Sequence, residues 1–301
     1  MILGEEQSWN SQVSELTCPS FSIILPVYNE EKGIAPTLAH LQEYLKPSGC
    51  EYEIIAVNDG STDATSEILS ARSDIKVINH RWNRGYGAAL KTGIRHAKNP
   101  LIVITDADGT YPNEQIPQLV ALAKNADMVV GARVGANVQY PTLRKIPKWF
   151  LVRFAEWIAQ SRIPDLNSGM RVFHKSAVEK FVKILPDTFS FTTTITLAML
   201  TNNYVVHYEP INFHHRQGKS KIKPIRDTLR FIQLILRTGV YFAPLRVFLP
   251  IAGAFFAGFL FTFIQDIFVR EDLTERTIIL LIAATQIAMF ALLADMLDKR
   301  T

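Results

Sequence analysis

Two carboxylates one residue apart, in Asp106-Ala107-Asp108-Gly109, directly follow the apolar run at residues 101–105. A strand ending there delivers both to the mouth of a sheet, and in an open α/β sheet ligands collect outside the carboxyl ends of the strands. Hard oxygen ligands of this kind suit Mg²⁺ or Mn²⁺ bridging to a diphosphate. Asp and Gly also build ordinary turns, so the surroundings decide. Two further polar turns follow apolar runs: Pro26-Val27-Tyr28-Asn29-Glu30 and Asn58-Asp59-Gly60-Ser61-Thr62-Asp63. If the strands before them are parallel, all three turns open on one edge. Acids gathered there repel an anion unless a divalent cation intervenes, so the trio suits a sugar nucleotide. Asp59 then serves base or ribose hydroxyls, and the later pair serves metal and diphosphate. Asp63 is read as a helix cap only.

The elements that must position these turns are legible in the pattern. Residues 21–26, 52–58, 75–79, 101–105 and 128–132 read as strands. Helices lie between them. The first shows Ile34, Leu38, Leu41 and Leu45 at helical spacing; a second follows Asp63, a third spans 87–97, and a fourth runs to about Lys124. Strict alternation of strand and helix predicts a parallel sheet covered on both faces. Residues 146–163, with Trp149, Phe150, Phe154 and Trp157, read as an aromatic helix that suits either a lipid interface or a core.

Composition separates the chain into a polar start, a globular body and a membrane end. The chain has 301 residues, 48% of them hydrophobic, enough for a proper core. Residues 1–20 are polar, with Glu5, Glu6 and Glu15, and lack the pattern of an export signal. Cys18 and Cys50 are read as inert thiols of a reducing compartment. Residues 247–264 and 277–293 are uncharged apolar stretches, each close to the ~20 residues needed to cross ~30 Å of hydrocarbon. From Arg216 to Arg246 eight Lys/Arg face one acid, Asp227. That block demands an anionic partner or surface. Within it, residues 224–244 read as an amphipathic helix on an anionic leaflet. The positive-inside rule places the body and the C-terminus in the cytoplasm. The division expected is 1–20, 21–223, 224–244 and 245–301. Two isolated membrane helices also favour an oligomer, and nothing invites nucleic acid.

Taken together, Pro-Val-Tyr-Asn-Glu-Glu from Pro26, Val-Asn-Asp-Gly-Ser-Thr-Asp from Val57, Asn83-Arg84-Gly85-Tyr86-Gly87 and Thr105-Asp106-Ala107-Asp108-Gly109 resemble family 2 glycosyltransferases. The branch resembled is that of the dolichyl- and polyprenyl-phosphate mannosyl- and glucosyltransferases. The resemblance implies a GT-A-type, Rossmann-like fold and inverting transfer from a UDP- or GDP-sugar to polyprenyl phosphate. It implies that Pro26, Tyr28, Glu30, Asp59, Asp106 and Ala107 line the donor site, and that Asp108, with Asp106, holds Mg²⁺ or Mn²⁺. Asp165-Leu166-Asn167-Ser168-Gly169-Met170-Arg171 resembles the branch's Asp-x-x-Ser-Gly segment. Arg216-Gln217-Gly218-Lys219-Ser220-Lys221 resembles its Arg-x-Gly-x-Ser-Lys segment, which implies an acceptor-phosphate set of Arg133, Ser168, Arg216 and Lys219. Arg133 near a strand end is also what a lipid phosphate beside a diphosphate requires.

Relatives that glycosylate hydroxyls carry a Glu-Asp pair after the acceptor segment, where residues 189–199 here hold no carboxylate. A hydroxyl nucleophile needs a base, whereas a phosphate oxygen is already ionised. The absence favours a phosphate acceptor over another lipid's or glycan's hydroxyl. A non-catalytic membrane subunit that binds sugar nucleotides is the competing reading from another class. Thr110 stands where some members carry a metal-reaching Gln. His214 and His215 are read as structural or phosphate contacts, because neighbouring side chains on a strand diverge.

Overall fold

The computed structural model of the chain describes residues 18–133, 152–212, 233, 235–270 and 272–298. They fall into two compact units: residues 18–133, 164–199 and 204–212 belong to the first, and 152–163, 200–203, 233, 235–270 and 272–298 to the second.

In the first unit, strands β1 (Phe21–Val27), β2 (Tyr52–Asn58), β3 (Lys76–Asn79), β4 (Leu101–Ile104), β5 (Met128–Ala132), β6 (Arg171–His174) and β7 (Val206–Pro210) form one sheet. Its order is β3-β2-β1-β4-β6-β5-β7. The pairs β2–β3, β1–β2, β1–β4 and β5–β7 are parallel, while β6 runs antiparallel to both neighbours. The sheet is therefore mostly parallel rather than wholly so. β6 and β7 escape a sequence reading because β6 opens on a charged residue and β7 (Val-His-Tyr-Glu-Pro) is polar and half-exposed.

The helices α1 (Ile34–Leu45), α2 (Thr65–Ser70), α3 (Tyr86–His96), α4 (Ile116–Leu122), α5 (Lys175–Glu179) and α6 (Phe191–Thr201) belong wholly or mainly to this unit. α1 buries the stripe Ile34, Leu38, Leu41 and Leu45 in one cluster with Phe21, Ile23 and Leu25 of β1. Each such side chain stabilises the fold by roughly 1.5–3 kcal/mol when fully withdrawn from water. On α3, Gly93 brings the helix so close to β1 that a Cβ there would stand 2.4 Å from Ile24 Cγ2. The strand order reverses between β1 and β4. This is the switch point at which such sheets hold ligands.

Cys18 and Cys50 are joined in a disulfide with a Cα–Cα distance of 5.1 Å, which corrects their reading as inert thiols. Each lies just before a strand of the same parallel pair, whose register matches Phe21 with Tyr52. Adjacent parallel strands start side by side, so residues far apart in sequence enter together. The two thiols therefore say nothing for a reducing compartment.

In the second unit, α7 (Pro244–Gln265) and α8 (Glu275–Asp298) pack as a hairpin. Phe248 meets Phe290 edge to face at 5.2 Å. Both helices qualify as candidate membrane spans, and only 17% of each apolar window is buried. A soluble core hairpin would bury far more of that surface. At the turn, Asp266 Oδ2 accepts hydrogen bonds from the Thr274 N–H (2.9 Å) and from the hydroxyls of Thr274 (2.7 Å) and Thr277 (2.6 Å). In the same unit, residues 152–159 and 235–242 are helical, with Gly239 set against Ile158 and the Arg246 guanidinium donating to the Ile158 carbonyl. Of the amphipathic helix expected over 224–244, residues 235–242 are helical, while 224–232 and 234 lie outside the described residues.

The disulfide closes a sequence separation of 32 residues, which in the chain-entropy view stabilises by about 3–4 kcal/mol at most. Unfolded, unreduced protein should therefore yield no alkylatable thiol by mass spectrometry, and reduction should lower the melting temperature of the first unit.

Candidate active site

The loops after β1 and β2 are sewn together. Asn29, with a φ of 54°, accepts from the Thr62 N–H at 2.8 Å, and its own N–H donates to Ser61 Oγ at 3.0 Å. The Glu30 N–H donates to Thr65 Oγ1 at 2.9 Å, and the Glu30 carbonyl accepts from Gly33 and Ile34 at the start of α1. Asp63 accepts from the Thr65 N–H at 3.0 Å and the Glu31 N–H at 3.3 Å, one residue before Ala64, which rather than Asp63 is the cap residue of α2. Pro26 is half-buried next to the last residue of β1, Val27, and Tyr28 lies exposed just beyond the strand.

Asp59 is buried and densely engaged. One carboxylate oxygen accepts from the Arg84 N–H (2.9 Å) and meets His80 Nδ1 at 2.7 Å; the other accepts from the Gly85 N–H at 2.8 Å. His80 Nε2 continues to Thr92 Oγ1 at 2.9 Å. The Asp59 carboxylate thus holds the turn at residues 80–85, a role that its reading as a base or ribose contact did not include. Gly85, with a φ of +106°, completes that turn in a backbone region closed to other residues. It delivers Tyr86, whose hydroxyl donates to Asp106 Oδ1 at 3.0 Å.

At the turn after β4, the Ala107 carbonyl accepts from Thr37 Oγ1 at 3.1 Å, and a Cβ on Gly33 would stand 2.8 Å from that same oxygen. The start of α1 therefore abuts the acidic turn. Asp108 Oδ1 accepts from the Thr110 hydroxyl at 2.6 Å and the Thr110 N–H at 3.2 Å. Thr110 orients the Asp108 carboxylate.

The segment from Asp165 to Arg171 is scaffolding for the same corner. Arg171 is fully buried, and burial lowers its pKa; its guanidinium donates to the Ser168 and Leu166 carbonyls (2.8 and 3.0 Å) and to Thr196 Oγ1 at 2.7 Å. Ser168, expected at the acceptor phosphate, is buried and donates to the Gly131 carbonyl at 2.6 Å. The Gly169 N–H donates to Tyr111 Oη at 2.6 Å, and a Cβ on Gly169 would stand 2.8 Å from Asp106 Oδ2. Burial first, and the Asp106 charge second, push the Tyr111 phenol up to about 12 and the Tyr86 phenol well above its usual value. Both phenols are therefore neutral around Asp106. Arg133 forms a two-pronged ion pair with Asp165 through Nε (2.7 Å) and Nη2 (2.9 Å). Arg216, Lys219, His214 and His215 lie outside the described residues.

The fold thus brings Asp106 and Asp108 together with the start of α1, and links Asp59 to Asp106 through the turn at residues 80–86. His80, Thr37, Tyr111 and Arg171 were not singled out from sequence. For His80 a signal existed: it follows Asn79, which pairs with Asn58 in the β2–β3 register, so it neighbours Asp59. Among the described residues no group of three or more His, Cys, Asp or Glu side chains gathers to hold a metal. Two Asp side chains alone fit a hard cation that takes its remaining ligands from substrate oxygens and water, the usual manner of Mg²⁺ and Mn²⁺.

A mostly parallel sheet with an acidic turn at its switch point is an open α/β fold of the class that holds ligands at the carboxyl edge of its strands. The chain belongs to glycosyl transferase family 2, whose model matches residues 22–182. A second model, described as the GtrB C-terminal hairpin, matches residues 243–299. The chain is 31% identical over 248 residues to an undecaprenyl-phosphate 4-deoxy-4-formamido-L-arabinose transferase of Shewanella sediminis, covering 79% of this chain and 71% of that one. It is 27% identical over 224 residues to a low-salt glycan biosynthesis hexosyltransferase of Haloferax volcanii, covering 72% of this chain and 53% of that one. Glucosyl-3-phosphoglycerate synthase from Mycobacterium tuberculosis, solved with Mn²⁺, UDP and phosphoglyceric acid, superposes with a TM-score of 0.59 at 18% identity, covering 75% of this chain and 82% of that one. At that identity the likeness shows the GT-A fold alone.

Burial raises the Asp165 pKa, but its hydrogen bonds to Arg133, the Arg133 charge and two backbone N–H groups more than offset this, so the carboxyl lies below its ordinary value. A depressed folded-state pKa stabilises above the unfolded value near 3.9 and is lost as pH falls through the folded value. In urea titrations, Asp165→Asn should be less stable than wild type at pH 7, and the gap should close below about pH 4.

Proposed function

We propose that this glycosyltransferase moves a sugar from a nucleotide diphosphosugar to a polyprenyl phosphate at a membrane face, with inversion at the anomeric carbon. The observation that carries the reading is the Asp106-Ala107-Asp108 turn, at the strand-order switch and against the start of α1, in a chain that ends in two candidate membrane spans. Relatives named as undecaprenyl-phosphate transferases support it.

An oxygen of the acceptor phosphate attacks the anomeric carbon. The bond from that carbon to the nucleotide diphosphate breaks, and the diphosphate leaves with the electron pair. Asp108, with Asp106 beside it, would hold Mg²⁺ or Mn²⁺, which when bound would supply positive charge to offset that of the departing diphosphate. Thr110 keeps the Asp108 carboxylate aimed. Pro26, Tyr28, Glu30 and Asp59 border the nucleotide, Asp59 by holding the turn beside it. Arg133, held by Asp165, joins Arg216 and Lys219 as cations for the lipid phosphate. Residues 189–199 offer no carboxylate, and an ionised phosphate needs no base. The basic block before α7 and the acidic loop between α7 and α8 support a cytoplasmic catalytic unit. The exposed apolar faces of the hairpin suit lipid and copies of the same chain.

The test offers labelled UDP- and GDP-sugars with polyprenyl phosphate and Mn²⁺ to the detergent-purified protein, followed by organic extraction. Label should enter the lipid phase with one donor. Asp108→Ala should abolish both transfer and metal-dependent nucleotide binding, while Lys219→Ala should raise the KM for lipid and leave nucleotide binding unchanged. Normal turnover by Asp108→Ala would remove the metal assignment.

A further inference from the structure

Asp106 meets a residue that the reading above does not use. Tyr86 Oη donates to Asp106 Oδ1 at 3.0 Å, and the face of its ring is covered by Phe189, with centroids 5.1 Å apart and planes 18° from parallel. Phe189 is 79% exposed. The segment before it runs across the start of α3 at a distance that only glycine permits: a Cβ on Gly85 would stand 2.3 Å from the Asp187 carbonyl oxygen, and one on Gly87 2.1 Å from that of Pro186. The Ala88 N–H donates to the Asp187 carbonyl at 3.2 Å, and Lys91 Nζ binds the Asp187 carboxylate at 2.8 Å.

Resting on the reading of Asp106 as a donor-site carboxylate, we propose that Tyr86 and Phe189 are its positioning pair. The Tyr86 hydroxyl fixes which way the carboxylate faces, and the Phe189 ring holds Tyr86 in place and keeps water off the hydrogen bond. The Gly169 backbone stands close against Asp106 Oδ2, and Tyr86 engages Oδ1. A phenol has one proton to donate, so this contact aims the carboxylate in one sense. A stacked aromatic pair adds about 0.5–1.5 kcal/mol beyond area burial and fixes ring orientation, which explains how a largely exposed side chain bears on the site. Tyr86 is anchored from its other side by Gly85, whose N–H is held by Asp59. The pair therefore joins the Pro186-Asp187 strap to the same clamp.

The test measures Mn²⁺-dependent binding of UDP and GDP by calorimetry, and donor and acceptor KM, on the full chain in detergent. Tyr86→Phe keeps the stack and removes only the hydroxyl. It should weaken nucleotide binding about tenfold, the effect of losing one hydrogen bond to a charged group. It should raise the donor KM, leave the acceptor KM unchanged and keep the melting temperature near that of wild type. Phe189→Ala should move binding the same way by roughly threefold, in keeping with the modest worth of a stacked pair. Phe189→Trp should restore wild-type binding and Phe189→Leu should not. The double variant Tyr86→Phe with Phe189→Ala should bind no worse than Tyr86→Phe alone, because both act through one hydrogen bond. Wild-type donor KM and binding in Tyr86→Phe, or losses that multiply in the double variant, would overturn the pair and leave the donor-site reading intact. Failure of the wild type itself to bind either nucleotide with Mn²⁺ would overturn both.

Discussion

The carboxyl edge of the sheet depends on one carboxylate that folding has taken out of water. Buried charge is tolerated only when hydrogen-bonded, and Asp59 meets that demand with two backbone N–H groups and a histidine from one turn. The demand runs both ways: residues 80–85 can satisfy Asp59 only in the conformation that ends with Gly85 at positive φ and starts α3 at Tyr86. Tyr86 then arrives at Asp106. An acid after β2 thereby governs the surroundings of an acid after β4, although the two turns belong to strands separated by β1.

A second constraint comes from close backbone approach. Gly33 against Ala107 and Gly169 against Asp106 leave no room for a side chain, so the acidic turn is walled by main chain on two sides. The wall behind Gly169 is kept in place by Arg171, a buried cation whose donors are spent on carbonyls and a threonine of its own surroundings. Losing any one of those acceptors would leave a buried N–H of a charged group without that partner. The Asp165–Arg171 segment thus works from below the site, and its Asp165 also presents Arg133 at the end of β5.

The placement of the candidate site at strand ends was legible before any fold was known. Turns rich in Asp, Asn and Gly after apolar runs mark strand ends, and strand ends in such sheets are where ligands bind. The roles within those turns were less legible. Asp59 and Ser168 carry the side-chain types of ligand contacts, but in the fold both face inward and hold neighbouring loops. A side chain's type does not say which way it faces when its partners, Gly85 and Gly131, lie 26 and 37 residues away. β6 and β7 were missed for a related reason: short strands with a buried arginine or with mixed polarity carry no alternating signal of their own and exist because β4 and β5 offer edges to pair with.

The sequence by itself determined the alternation of strands and helices, the edge at which three polar turns emerge and the two apolar helices at the end, because each follows from local periodicity and from the length of an uncharged run. Only the tertiary structure decided that β6 runs against its neighbours, that Cys18 meets Cys50, that Asp59 clamps a turn, and that Tyr86 under Phe189 reaches Asp106. These are contacts between residues distant in the chain. Their existence depends on strand register and on backbone approach at glycines, neither of which any local stretch of residues contains.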